Sequence, residues 1–144
     1  MAGNPKIRAG EAPVGHVHEA KVVENLTRTQ IVQYAAGSGD FNPIHHDETF
    51  ATKVAGYPSV FAHGMLTMAL TGKMLTDWLG DGVLTSFGVR FVKQVFPGDS
   101  LTARGTVTRS TEEGDAARLE IELVTSNQRG EPVATGTATA LLPR

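Results

Sequence analysis

The chain has 144 residues, 40% of them hydrophobic and 19% charged, which is enough for one domain with a sizeable core and too apolar for the disordered class. A formal net charge of -2 supplies no basic surface for nucleic acid or an anionic membrane. With no cysteine in the chain, disulfides, thiolate nucleophiles and cysteine metal ligands are excluded.

Residues 1 to about 14 carry Gly3, Pro5, Gly10 and Pro13, which break any regular period. An extended or flexible lead-in is expected there, followed by a single domain over residues 15–144. The same stretch lacks the apolar core of a signal peptide, and no later window approaches the ~18 apolar residues of a membrane span. A cytoplasmic protein is therefore expected. Residues 16–24 suit a first strand, with weak alternation. Thr27 followed by Gln30 forms a capping-box pattern, and Leu26 and Ile31 are placed as a hydrophobic staple. The helix so started is expected over about 28–36, stopping at Gly37. Residues 42–55 predict a turn at Pro43 and then a brief helix ended by Gly56 and Pro58.

From Gly64 to Leu79, Met65, Leu66, Met68, Leu70, Met74, Leu75, Trp78 and Leu79 recur at helical spacing over a broad face, predicting the longest and most buried helix. Beyond residue 83 the pattern shifts to β-favouring runs. Strands are expected near 84–95, 100–110, 117–127 and 132–142, with turns at PGD (97–99), EEGD (112–115) and NQRG (127–130). Leu119, Ile121 and Leu123 alternate with Glu120 and Glu122, giving the sheet one buried and one wet face. The economical architecture is α+β, one antiparallel sheet wrapped around one long apolar helix. Its open edges favour pairing of two subunits.

The densest chemistry lies at SGDFNPIHHD, residues 38–47, where Asp40, Asn42 and His45 surround Pro43 on the irregular backbone after a helix. A carboxylate and an imidazole held close together suit general acid–base work, and the proline stiffens the step between them. A turn or cap role for Asp40 is the plain alternative. In AHGM, residues 62–65, Gly64 opens the long helix, where its N–H can approach a ligand oxygen as an oxyanion donor. Together these groups suit proton transfer next to a carbonyl. His63 is expected to cap or hydrogen-bond, and His46 to face solvent or position the loop. Met65 and Met68 are core residues first, with an adaptability that suits an acyl chain. His16, His18, His45, His46 and His63 include HxH and HH pairs but no HExxH, so no metal is expected. Ser38 and Ser59 lack the GxSxG elbow of a serine hydrolase.

The runs YAAGSGDFNPIHHD, FAHGM and VRFVKQVFPGDSL, in that order, resemble the MaoC-like, or (R)-specific enoyl-CoA hydratase, family with its hydratase 2 motif. The similarity covers roughly residues 16–142, and SGDFNPIHHD and AHGMLTM also resemble the catalytic B subunits of (3R)-hydroxyacyl-ACP dehydratases. The resemblance implies a hot-dog fold and reversible syn addition of water to trans-2-enoyl thioesters of CoA or ACP, a hydro-lyase reaction of fatty-acid metabolism without a cofactor. It also implies a homodimer or a heterodimer with a homologous subunit. Carried onto this chain, Asp40 and His45 are the catalytic pair, Asn42 orients them, and Gly64 holds the thioester carbonyl. Two alternatives stand beside it. One is a hot-dog acyl-CoA thioesterase; the other is a non-catalytic subunit that shapes the acyl tunnel of a heterodimeric dehydratase.

Overall fold

In the computed structural model, which describes residues 3–144, five antiparallel strands form one sheet around a long helix. Strand β1 is Asn4–Pro5, β2 Val17–Val23, β3 Gly80–Asp81, β4 Leu84–Phe91, β5 Leu101–Glu113, β6 Ala116–Ser126 and β7 Pro132–Pro143; helix α1 is Arg28–Ser38 and α2 Gly64–Leu79. The large sheet runs β2-β5-β6-β7-β4, leaving β2 and β4 at its edges. The expected helix–sheet architecture is present, and α2 has the boundaries that its apolar spacing predicts.

Helix α2 lies against the concave face of the sheet because both surfaces are apolar. Met74, Leu75, Trp78 and Leu79 meet Ala103 and Val107 of β5, Leu119, Ile121 and Leu123 of β6, and Ala138, Ala140 and Leu142 of β7. The β6 alternation is as expected: the three aliphatic residues are buried and Glu122 is exposed. Facing Thr residues are not left dry, since Thr71 of α2 shares a buried 2.6 Å hydrogen bond with Thr125 of β6. A second apolar cluster joins Leu26, Ile31, Ala62, Val95, Leu101 and Val133 and anchors α1 beside the start of α2.

The N-terminus of α1 has the capping box written in its sequence. Thr27 Oγ1 accepts the Gln30 N–H at 3.1 Å, and Gln30 Oε1 accepts the Thr27 N–H at 2.9 Å. Leu26 and Ile31, the staple pair, are buried in one cluster. The helix passes Gly37 and ends at Gly39, which takes the left-handed cap with φ 75°. Gly37 was the expected stop; the extra turn is held by Ser38, whose hydroxyl donates to Tyr34 O at 2.7 Å.

The lead-in is more firmly held than its glycine and proline content predicts. Residues 1–2 lie outside the described residues, but Asn4–Pro5 pair with Gly80–Asp81, and the Lys6 N–H donates to Leu79 O at 2.9 Å. Ala9 and Ala12 are buried in the main core, so the segment covers the end of α2 rather than hanging from the domain. Strand β4 is also shorter than expected, ending at Phe91, after which the N–H groups of Val92 and Lys93 both turn onto Val133 O. Over 42–55 the expected turn and brief helix are a 3-10 turn at Pro43–His45 and a π-helical turn at Phe50–Val54.

Candidate active site

The loop after α1 is built by short side chains that each cap the backbone two residues ahead. Ser38 Oγ accepts the Asp40 N–H, Asp40 Oδ1 accepts the Asn42 N–H, and Asn42 Oδ1 accepts the Ile44 N–H, all at 3.2 Å. This is the physical content of the SGDFN spacing: each polar residue replaces a missing turn bond. Asn42 thereby becomes the N-cap of the 3-10 turn Pro43–His45, with proline at its first position. The turn delivers His45 inward, buried, while Asp40 stays at the rim with its side chain about half exposed. Asp40 is thus a turn-capping residue and a free carboxylate at once, because one oxygen caps and the other points to His45.

A second segment, Val60–His63, clamps this loop from across. The Phe61 N–H donates to Ile44 O at 3.3 Å, and Ala62 N–H ties the segment to Val95 O at 2.8 Å. His45 Nδ1 lies 2.6 Å from Phe61 O. A carbonyl oxygen can only accept, so Nδ1 carries the proton and the lone pair of neutral His45 resides on Nε2. That atom faces Asp40 Oδ2 at 4.0 Å. The gap is too long for a direct hydrogen bond and suits one bridging water: with bonds of about 2.8 Å to each acceptor, the angle at the water is about 90°, near its own H–O–H angle. Burial pushes the His45 pKa below its ordinary value, and the neighbouring imidazoles His63 and His46 act the same way; the Phe61 carbonyl and the Asp40 carboxylate oppose them. The neutral, proton-accepting form therefore prevails at neutral pH.

His63, which sequence reasoning left as a cap or hydrogen-bonding residue, makes no side-chain cap on α2. Its Nε2–H donates to Asp40 O at 2.9 Å, and its ring stacks on His45 with centroids 3.8 Å apart. His46 is exposed and positions the loop, with Nε2 3.0 Å from Phe41 O. Asp40, His45 and His63 offer ligand atoms within 4.8 Å of one another. The two imidazoles nevertheless lie face to face, only 26° from parallel, so their in-plane lone pairs run side by side instead of converging on one ion at about 2 Å.

Gly64 follows His63 directly and opens α2. As the first helical residue its N–H has no partner within the helix, and it lies at the positive end of the helix dipole. It borders a cavity of about 290 Å³ lined by Phe61, Ala62, Thr67, Phe91, Val95 and Val133, among others. Phe91 explains why glycine is needed: a Cβ at Gly64 would meet its ring at 2.8 Å. Met65 and Met68, expected as core residues first and as substrate contacts second, do not line this cavity, and Met65 is 55% exposed. Gly64 and Thr67 share the cavity face at helical spacing, and a residue one position further on is turned away by about 100°. Phe61 and Phe91 are cavity-wall residues that spacing alone does not single out, although both belong to the runs FAHGM and VRFVKQVFPGDSL. Lys93, at the cavity mouth, is paired with Glu131 at 2.5 Å.

The comparisons agree with this layout. Residues 10–136 match the family model described as MaoC like domain. The (R)-specific enoyl-CoA hydratase of Aeromonas caviae is 33% identical over 127 residues, covering 87% of this chain and 92% of that protein. The 3-hydroxyacyl-thioester dehydratase Y of Mycobacterium tuberculosis is 46% identical over 88 residues, 58% of this chain; the match spans only 29% of that longer protein. Among solved structures, the unliganded R-hydratase PhaJ1 from Pseudomonas aeruginosa superposes with a TM-score of 0.83 at 26% identity, over 99% of this chain and 90% of that one. A hot-dog sheet around a central helix and a family match over most of the sequence lead to one assignment: the chain belongs to the MaoC-like domain family, alongside hydratases and dehydratases of acyl thioesters.

Proposed function

We propose that this protein adds water reversibly to trans-2-enoyl thioesters, giving (3R)-3-hydroxyacyl thioesters, and that CoA or an acyl carrier protein holds the acyl chain. The observation that carries the reading is the free Nε2 lone pair of His45 facing Asp40 Oδ2 at 4.0 Å, with the His45 ring stacked on His63, the residue just before the Gly64 N–H that opens the long helix. In the hydration direction a water donates one O–H to His45 Nε2 and the other to Asp40. The Gly64 N–H receives the thioester carbonyl, which draws electron density from the double bond. The water oxygen bonds to C3 as His45 takes its proton, and charge gathers on the carbonyl oxygen at Gly64. Collapse of that enolate accepts a proton at C2 from the Asp40–His45 pair, on the face the water entered, so the addition is syn. Dehydration is the same path reversed. Asn42 serves by holding the turn that carries His45.

The subunit arrangement belongs to the same reading. Edge strand β4 ends at Phe91, and Phe91 and the following Val92 are exposed at 47% and 50% beside the cavity. A second subunit, identical or homologous, would cover this apolar rim and complete the acyl tunnel. The test is direct: purified protein should consume the enone absorbance of crotonyl-CoA or a longer trans-2-enoyl-CoA and yield the 3R product. Asp40→Asn and His45→Ala should each lose at least about 100-fold, the low end for acid–base groups. Full activity in either variant refutes the assignment. Thiol release without enone loss supports the thioesterase instead, and activity only with a homologous chain present supports the partner-subunit reading.

A further inference from the structure

His63 is the most deeply buried imidazole in the chain, at 2% exposure, and the water-adding step described above does not use it. Its single hydrogen bond, from Nε2–H to Asp40 O at 2.9 Å, assigns its lone pair to Nδ1. Nδ1 is buried without a partner, the one such side-chain atom among the described residues. A dry, unpaired acceptor costs about 1–3 kcal/mol, so an apolar side chain would fill this position more cheaply if packing alone mattered. What an apolar side chain could not supply is the N–H aimed at Asp40 O. The ring also lies between Tyr34, 4.9 Å away, and His45, 3.8 Å away. It therefore touches both members of the acid–base pair, one through the backbone and one through its face.

We infer that His63 is a positioning residue for the hydration reaction, tying the Asp40 backbone with Nε2–H and seating the His45 ring so that the 4.0 Å space for water between them is maintained. This deepens the proposed function and rests on it for the kinetic readout. Phe61 already ties the loop at Ile44 and His45, but among the described residues Asp40 is otherwise bonded only to Ser38 and Asn42, and His63 reaches it from 23 residues away. Its contact with the Asp40 carbonyl and its stack on His45 restrain the two catalytic side chains relative to one another, not merely the loop as a whole.

Two amide substitutions test this. The Gln amide nitrogen reaches about where His Nε2 sits, so His63→Gln keeps the donor to Asp40 O; the shorter Asn does not reach it. Both keep a polar group of similar size, and equal thermal midpoints would show that folding is not the difference. His63→Gln should retain kcat on a trans-2-enoyl-CoA within about tenfold, whereas His63→Asn should lose about 10²-fold, the cost of a misplacement near 1 Å, with KM little changed. Equal kcat in the two variants, high or low, overturns the hydrogen-bond assignment. A second arm is independent of turnover: the His45 ring is titrated by NMR. The groups facing it are Asp40, His63 and His46, with Phe61 O on Nδ1. Loss of the stacked imidazole in either variant should move the His45 midpoint upward, and an unmoved midpoint overturns the stacking contact. If the wild-type protein hydrates no enoyl thioester, the functional reading fails, and the NMR titration alone then decides the placement of His63.

Discussion

Gly64→Ala separates an oxyanion donor from a merely tight helix start. The new Cβ would lie 2.8, 2.9 and 3.1 Å from Cε2, Cδ2 and Cγ of Phe91. Ordinary van der Waals contact begins at about 3.4 Å, so ring and helix start must part by about 0.6 Å. Overpacking of this kind costs about 1–3 kcal/mol when nothing yields. Phe91 is 47% exposed at the end of an edge strand, so the ring can yield in part, which puts the stability loss at the lower end of that range. Helical backbone at this position accepts alanine, and backbone strain does not contribute. The functional loss is larger. A single oxyanion donor is worth about 2.7–4 kcal/mol, equal to 10²–10³ in kcat, and a shift of a few tenths of an ångström forfeits part of it. We expect Gly64→Ala to lower kcat on crotonyl-CoA about 10- to 100-fold with a small drop in thermal midpoint, and Gly64→Ala with Phe91→Ala to recover most of the kcat loss, because the obstructing ring is gone. Enone absorbance gives the rate and thermal melts give the stability. Wild-type kcat in Gly64→Ala, or a double variant no faster than the single, would refute the reasoning.

The kcat/KM profile should fall on the acid side at a pH below the ordinary imidazole value of 6.5, because burial lowers the His45 pKa and the base must be neutral. Asp40→Asn removes an opposing, pKa-raising charge, so its residual activity should hold to still lower pH; an acid limb that moves upward contradicts the assignment. Stability follows the same sign. His45 and His18, the latter lowered by burial and by His16, bind protons in the unfolded chain before the folded one as pH drops below 6.5, so their contribution is present above that pH and lost below it. Urea midpoints measured from pH 7.5 down to 5 should decline, and a rise would contradict both placements. Finally, Thr71→Val strands the Thr125 hydroxyl and should cost about 1–3 kcal/mol, while Thr71→Val with Thr125→Val should be nearer neutral; thermal melts of the two variants beside the wild type test the coupling.

The features open to reading along the chain were those set by local physics. Capping at Thr27, the apolar face of α2 and the alternation of β6 each depend on residues a few positions apart, and each is present where the spacing puts it. The density of Asp40, Asn42 and His45 marks the candidate site for the same reason: the side chains of Asp40 and Asn42 cap backbone two residues on, and His45 closes the turn they build. Sequence pattern and structure part where the surrounding backbone decides the outcome. Helix α1 outlasts Gly37 because the following loop needs its left-handed residue at Gly39, and the lead-in is anchored by pairing with Gly80–Asp81, which no two-residue pattern announces. Met65 and Met68 share the apolar helix with the cavity-lining Thr67, but only the path of the sheet decides which stripe faces the cavity.

The direction of proton transfer was hidden most completely. Asp40 and His45 can be picked out by type and spacing, yet neither property says which imidazole nitrogen is free. That is decided by Phe61, 16 residues away, and by a main-chain oxygen that any residue at position 61 would supply. The same carbonyl that takes up Nδ1 leaves Nε2 as the proposed base, and the same short segment goes on to place His63 on Asp40 and Gly64 at the cavity. In the proposed reaction, base, clamp and oxyanion donor are therefore consecutive outcomes of one stretch of backbone, Phe61 to Gly64, pinned to Val95 O through Ala62. A shift of that stretch would displace all three together, whereas loss of Asp40 or His45 alone removes one group and leaves the rest in place. A substitution that loosens the segment without touching Asp40, His45 or Gly64, such as replacing the buried cavity-wall residue Val95 by Ala, should accordingly lower kcat while leaving the acid-limb pKa to follow His45 burial; enone kinetics across pH measure both, and a variant that loses stability but no kcat would contradict the shared backbone origin.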